Sequence, residues 1–126
     1  MAFIIIADDD ALAVDIIRGT LERGGHVVGA LQDGENVGYV VDLKRPDLVI
    51  LDCAMPCKSG NDAVRDIRAS CLSYDTPVLM LTSLHHKRDE EISMRAGADE
   101  YMRKPFDPDR LLGVVDVMLA RDAVHH

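Results

Sequence analysis

Leu48-Val49-Ile50-Leu51-Asp52 is an apolar run of strand length that ends on a carboxylate, and the 126-residue chain repeats that arrangement three more times. Phe3-Ile4-Ile5-Ile6-Ala7 leads into Asp8-Asp9, Pro77-Val78-Leu79-Met80-Leu81 into Thr82, and Glu100-Tyr101-Met102-Arg103 into Lys104. Segments of helical spacing separate the runs, so strands alternate with helices from start to finish, the pattern of a doubly wound α/β sheet with parallel strands. The carboxyl ends of such strands share one edge, and ligands bind in the crevice outside it. Acids, a hydroxyl and an amine far apart in sequence are therefore expected at one site.

The intervening segments carry their own start and stop signals. Asp10 to Arg23 places Ala13, Ile16, Ile17, Thr20 and Leu21 at helical spacing, and Gly24-Gly25 ends the helix. The second strand is expected over His26 to Gln32. Asp33-Gly34 then offers a turn and an N-cap for a helix through Val37, Val40, Val41 and Leu43, which stops before Arg45-Pro46 because the residue preceding proline avoids the α region. After the third strand a loop over 55–60 must curl back over the strand end, and a helix follows from Asn61 to about Ala69. The segment from His85 to Arg95 is mostly charged, with Ile92 and Met94 as its few large apolar residues. With so little to bury, it is expected to be the most mobile helix.

Gly97 closes that helix, and Asp107-Pro108 gives the last one an N-cap with proline at its first position. Leu111, Leu112, Val115, Met118 and Leu119 form a core stripe there, while Val114 and Val117 lie on another face, open to a partner or to solvent. No internal repeat or low-complexity tract appears. The expectation is one domain over residues 1–121 with a tail over 122–126, in which His125-His126 look like the remnant of a purification tag.

Composition narrows the function classes. A net charge of -8 and a pI near 4.9 argue against a nucleic-acid-binding face, which needs clustered Lys and Arg. The amino-terminal apolar run is too short for a signal peptide core or a membrane span, so the expected location is the cytoplasm. Cys53, Cys57 and Cys71 are an odd number without a CxxC pair, which suits a reducing compartment and reads as small apolar residues. A zinc site drawn from Cys53, Cys57 and His85-His86 explains less than packed thiols and solvated histidines do.

Carboxylates held close together repel, which raises their pKa values unless something positive sits between them. A hard divalent cation does this: Mg2+ takes oxygen ligands and keeps several waters, which matches Asp9, Asp52 and water relayed by Asp8. Asp10, at the start of a helix, can simply cap it or favour its dipole. A carboxylate can also attack phosphorus to give an acyl phosphate. Lys104 would then neutralise charge on the transferred group, and Thr82 and the backbone amides after Asp52 would donate hydrogen bonds to its oxygens. Each residue alone is ordinary cap or turn chemistry. Their combination at the correct strand ends is specific.

The stretches Ile4-Ile5-Ile6-Ala7-Asp8-Asp9-Asp10, Pro46-Asp47-Leu48-Val49-Ile50-Leu51-Asp52, Met55-Pro56 with Gly60, Val78-Leu79-Met80-Leu81-Thr82-Ser83, Gly97-Ala98-Asp99-Glu100-Tyr101 and Lys104-Pro105-Phe106 carry a resemblance. Over residues 2 to 121 the chain resembles a receiver domain of the response-regulator family, the phosphoacceptor half of bacterial two-component signalling. The resemblance implies a flavodoxin-like (βα)5 sheet of strand order 2-1-3-4-5. It implies that Asp52 accepts a phosphoryl group from a histidine kinase or histidine phosphotransfer protein, with Mg2+ held by Asp8, Asp9, Asp52 and the Ala54 carbonyl. Thr82 and Lys104 would sense that group, the Lys104-Pro105 bond would be cis, and movement of Thr82 would be coupled to rotation of Tyr101. Such a domain assists its own phosphorylation and dephosphorylation without being an enzyme on another substrate. Its expected partner face, over 85–121, would meet a downstream protein, an output domain or a second copy, with no membrane or direct nucleic acid contact.

Departures from the family pattern refine this. Ala54 and Leu84 stand where members that lose phosphate quickly often carry polar groups, so a long-lived acyl phosphate is expected. Val114 and Asp116 stand where members with a winged-helix output often place basic residues for dimer salt bridges, so a single-domain regulator or a receiver from a hybrid kinase fits as well. Among rivals, a phosphohydrolase of the haloacid dehalogenase type wants a second acid two residues after the nucleophile, where this chain has Ala54, and it wants room for a cap domain. A flavin-binding module needs a Gly/Thr/Ser-rich phosphate loop after the first strand, and none follows it here. A phosphorylation-independent module with the receiver fold usually loses an acid, the Thr or the Lys, and all are present here.

Overall fold

The computed structural model describes residues 1–83 and 86–125. Strands β1 (Phe3–Ala7), β2 (Val27–Leu31), β3 (Leu48–Asp52), β4 (Val78–Thr82) and β5 (Glu100–Arg103) alternate with helices α1 (Ala11–Arg23), α2 (Val37–Lys44), α3 (Gly60–Ala69), α4 (Lys87–Ala96) and α5 (Pro108–His125). All strand pairings are parallel, in the order β2-β1-β3-β4-β5, as the resemblance implied. Among the described residues no helix is long and apolar enough to cross a membrane.

The central strands are apolar throughout because helices cover both faces of the sheet. Alternate residues divide between two cores. Ile4, Ile6, Leu48, Ile50, Leu79 and Leu81 pack with Ile17 and Leu21 of α1 and Leu111, Val115 and Met118 of α5. Ala7, Val49, Leu51, Val78 and Met80 pack with Val37 and Val41 of α2, Val64 and Ile67 of α3 and Ala96 of α4.

The boundaries differ from expectation where local chemistry intervenes. β2 is shorter than residues 26–32: the His26 backbone N–H closes the end of α1 on the Leu21 carbonyl at 3.1 Å instead of entering the sheet, while its ring accepts the Ala2 N–H through Nδ1 at 3.2 Å and donates to Asp116 through Nε2 at 3.0 Å. Asp33 does not cap α2. Its carboxylate accepts the Glu35 N–H at 2.9 Å in a local turn, and Asn36 holds the N-cap position without a side-chain cap bond. That delay follows from Gly34, whose backbone lies so close to Lys58 that a Cβ there would sit 2.1 Å from the Lys58 carbonyl oxygen. Helix α2 stops at Lys44 as expected, with Arg45 taking a left-handed conformation at φ 52° before Pro46. Helix α5 continues to His125. Its Val117 is 57% exposed, whereas Val114 packs against the core.

Helix α4 begins at Lys87; His85 and Leu84 lie outside the described residues, as does His126. Its composition produces an inversion of the usual amphipathic rule. Ile92 and Met94 are exposed, and the residues it buries are the small Ser93 and Ala96.

Candidate functional site

Parallel register brings the polar strand ends to one edge. Ala7 pairs with Leu51, Asp52 with Leu81 and Thr82 with Arg103, so Asp8, Asp52, Thr82 and Lys104 stand side by side across four strand ends. Ligand oxygens of Asp8, Asp9 and Asp52 all lie within 4.8 Å of one another, the single group of this kind among the described residues. Asp8 and Asp52 are buried while Asp9 is exposed, so the cluster opens to solvent on one side.

Each side chain is held by its local structure. The Asp8 carboxylate accepts the Asp10 N–H at 2.9 Å with one oxygen and the Lys104 ammonium at 2.7 Å with the other. Asp10 caps α1, accepting from Leu12 and Ala13 at 3.0 and 3.4 Å, and so turns the chain away from the site. Lys104 stands 3.8 Å from the nearer Asp52 oxygen. Its backbone N–H donates to the Thr82 carbonyl at 2.7 Å, and the cis bond to Pro105 redirects the chain immediately afterwards. Thr82 is fully buried at the end of β4.

The loop after β3 folds back against the acceptor strand. The Gly60 N–H donates to the Cys53 carbonyl at 2.9 Å, and a Cβ on Gly60 would lie 2.4 Å from the Asp52 carbonyl oxygen, so only glycine fits there. Ala54 is exposed beside the cluster, and its N–H points at the Asp52 carboxylate at 3.4 Å.

Three carboxylates face one ammonium, and the electrostatics record the imbalance. Burial, and then the Asp8 charge, push the Asp52 carboxyl up to about 6, against the opposing pull of Lys104 and the Ala54 N–H. This donor set fits a small hard cation: an all-oxygen cluster, two members buried, with one carboxylate destabilised for want of positive charge. Zinc chemistry has less support. Cys53 is buried, Cys57 and Cys71 are exposed rather than packed, and all three thiols are free.

Tyr101 is the fourth element of the expected switch. It pairs with Met80 across β4 and β5, and its ring packs against the core on the side of α2, α3 and α4. Its hydroxyl is buried with no hydrogen-bond partner among the described residues. Sequence reasoning did not anticipate Ser93 and Asn61, whose side chains bond at 2.8 Å behind Cys53. The available signal was a lone small polar residue on the inward side of a charged helix, which sequence alone does not distinguish from an exposed serine.

Known proteins share this chain's sequence pattern and its fold. A family profile described as the response regulator receiver domain matches residues 4–116. The alkaline phosphatase synthesis transcriptional regulatory protein PhoP of Bacillus subtilis is 32% identical over 121 residues, covering 96% of this chain and 50% of that protein. The chain thus spans about half the length of this curated relative. Among solved structures, the receiver domain of the sensor histidine kinase PA1611 from Pseudomonas aeruginosa, with a magnesium ion coordinated in its active site cleft, superposes with a TM-score of 0.88 at 26% identity, covering 94% of this chain and 98% of that one. The BeF3-activated N-terminal receiver domain of Klebsiella pneumoniae RstA gives 0.86 at 29% identity, covering 93% and 97%.

Proposed function

This chain belongs to the response-regulator receiver family of two-component signalling, and from that premise we propose that Asp52 is its phosphoacceptor, taking a phosphoryl group from a phosphohistidine donor. The observation that carries the reading is the cluster itself: Asp52 buried at the end of β3, within reach of Asp8, Asp9 and Lys104 and beside the exposed Ala54 N–H.

In the proposed reaction an Asp52 carboxylate oxygen attacks phosphorus, the phosphorus–nitrogen bond of the donor breaks, and the electron pair leaves on the imidazole, which takes a proton. The Ala54 N–H, the Thr82 hydroxyl and the Lys104 ammonium are the groups that would stabilise charge on the transferred oxygens. Asp8, Asp9, Asp52 and the Ala54 carbonyl would hold Mg2+. When bound, Mg2+ supplies charge neutralisation on the phosphoryl oxygens and relieves the repulsion that raises Asp52. Asp8 positions Lys104 by the 2.7 Å pair between them.

Ala54 offers no side-chain group to orient an attacking water, which supports a long-lived acyl phosphate; loss within seconds would count against that part. Phosphorylation would act through Thr82 and Tyr101 on a partner face formed by α4, β5 and α5. There Tyr101, Arg103, Phe106 and Arg110 line a cleft of about 380 Å³. Coverage of only half of the PhoP relative supports an output region elsewhere in a longer protein as readily as a separate partner. Transfer from a purified phosphohistidine-bearing phosphotransfer protein tests the reaction. Label should pass to the wild-type chain and not to Asp52→Asn, whereas equal transfer to both would place the acceptor elsewhere.

A further inference from the structure

Helix α4 is attached to the domain in an unusual way. Of its ten residues, the buried ones are Ser93 and Ala96, and its two large apolar side chains face outward. A serine inside a helix ordinarily faces solvent or bonds back to its own backbone. Ser93 does neither of these. It is fully buried, its hydroxyl donates to the Asn61 side-chain carbonyl on α3 at 2.8 Å, and the Cys53 thiol lies 4.0 Å away. Cys53 follows Asp52 directly, and Asn61 is the second residue of α3, next to Gly60, whose N–H is bonded to the Cys53 carbonyl. Close enough to Cys53 to feel its charge, the Tyr101 hydroxyl is buried without a partner among the described residues. Burial raises the Tyr101 phenol pKa, with smaller upward contributions from Cys53 and from Asp89 and Glu90 on the first turn of α4.

We propose that Ser93 is a positioning residue: its bond to Asn61 pins α4 to the first turn of α3, beside the loop that follows Asp52, and thereby keeps Tyr101 inward in the resting state. Apolar burial holds most helices, but here a single buried polar contact carries much of the attachment. A buried phenol with no hydrogen-bond partner among the described residues is a standing cost of the inward position, which the pinned α4 sustains. Breaking the Ser93–Asn61 contact loosens α4 and lets the ring reach water, with no phosphoryl group present. The switching role rests on the receiver reading, whereas the pin is a property of the unphosphorylated fold.

The test uses unphosphorylated protein, so its outcome is independent of whether Asp52 accepts phosphate. Amide hydrogen exchange over residues 88–96 is compared among wild type, Ser93→Ala, Asn61→Ala and the double variant. Fluorotyrosine labelling of the same proteins reports on Tyr101, whose resonance is assigned with Tyr101→Phe. Ser93→Ala should accelerate exchange across α4 by about fivefold to tenfold, the scale of one lost side-chain hydrogen bond, and should move the Tyr101 resonance toward that of an exposed ring. Exchange in α1 should stay unchanged, and the double variant should be no faster than Ser93→Ala alone. Unchanged α4 exchange, or acceleration that adds independently in the double variant, would overturn the pin. Faster exchange with an unmoved Tyr101 resonance would overturn the link to the ring.

Discussion

Asp52 shows how a single residue can be costly for the fold and useful for the chemistry. Its folded pKa of about 6 lies above the ordinary carboxyl value, so between about pH 4 and pH 6 the folded chain binds more protons than the unfolded one. Stability from this group therefore falls as pH rises through that window, and the full penalty is present above it. Asp52→Asn should stabilise the metal-free protein at pH 7 by on the order of 2 kcal/mol, and the gain should vanish near pH 4; paired thermal melts at the two pH values check this. Mg2+ should raise the melting temperature of wild type more than that of the variant, because the cation relieves the same repulsion. The sequence displayed the acids and their strand-end positions. It did not display that Lys104 spends its closest contact on Asp8 rather than on Asp52, since the choice between two carboxylates depends on side-chain reach across strands.

At the scale of elements, type and order were legible because strand runs and helical spacing are local signals, and the ends shifted where distant chain segments intrude. Gly34 against the Lys58 carbonyl delays α2, and the His26 backbone N–H bonded to the Leu21 carbonyl shortens β2. The attachment of α4 was only half legible: its weak apolar content was plain, but Ser93 reaching Asn61 was not. Among the described helices, α4 should show the fastest amide exchange, about tenfold or more above α3, whose Ala63, Val64 and Ile67 are buried. At the opposite end of the sheet, Arg68 plays the stitching role. Its guanidinium donates to the carbonyls of Gly97, Tyr74 and Thr76 and pairs with Asp99 at 2.8 Å, while Asp99 also accepts the Val78 N–H. Arg68→Ala leaves several of these groups short of partners and should cost about 3 kcal/mol in chemical denaturation, with phosphorylation of the surviving folded fraction unaffected because the acceptor edge lies at the other strand ends.

For the molecule as a whole, one sheet separates two cores and gathers its polar chain ends on a single edge, so the fold and the chemistry are read from the same four runs. The function became legible through combination: an acid pair, an acid, a threonine and a lysine, each unremarkable alone, are brought to one sheet edge by the strand order 2-1-3-4-5, with the ligand oxygens of the three acids within 4.8 Å of one another and Lys104 3.8 Å from Asp52. What depends on surfaces, such as the proposed partner face over α4, β5 and α5, is not written in the periodicity of any one element. The central claim is that this cluster makes Asp52 a Mg2+-dependent phosphoacceptor, and intact mass after incubation with acetyl phosphate tests it most directly. The account predicts a gain of one phosphoryl group that requires Mg2+ and disappears in Asp52→Asn. An unmodified mass in the presence of bound Mg2+, or a gain that survives in the variant, would contradict it.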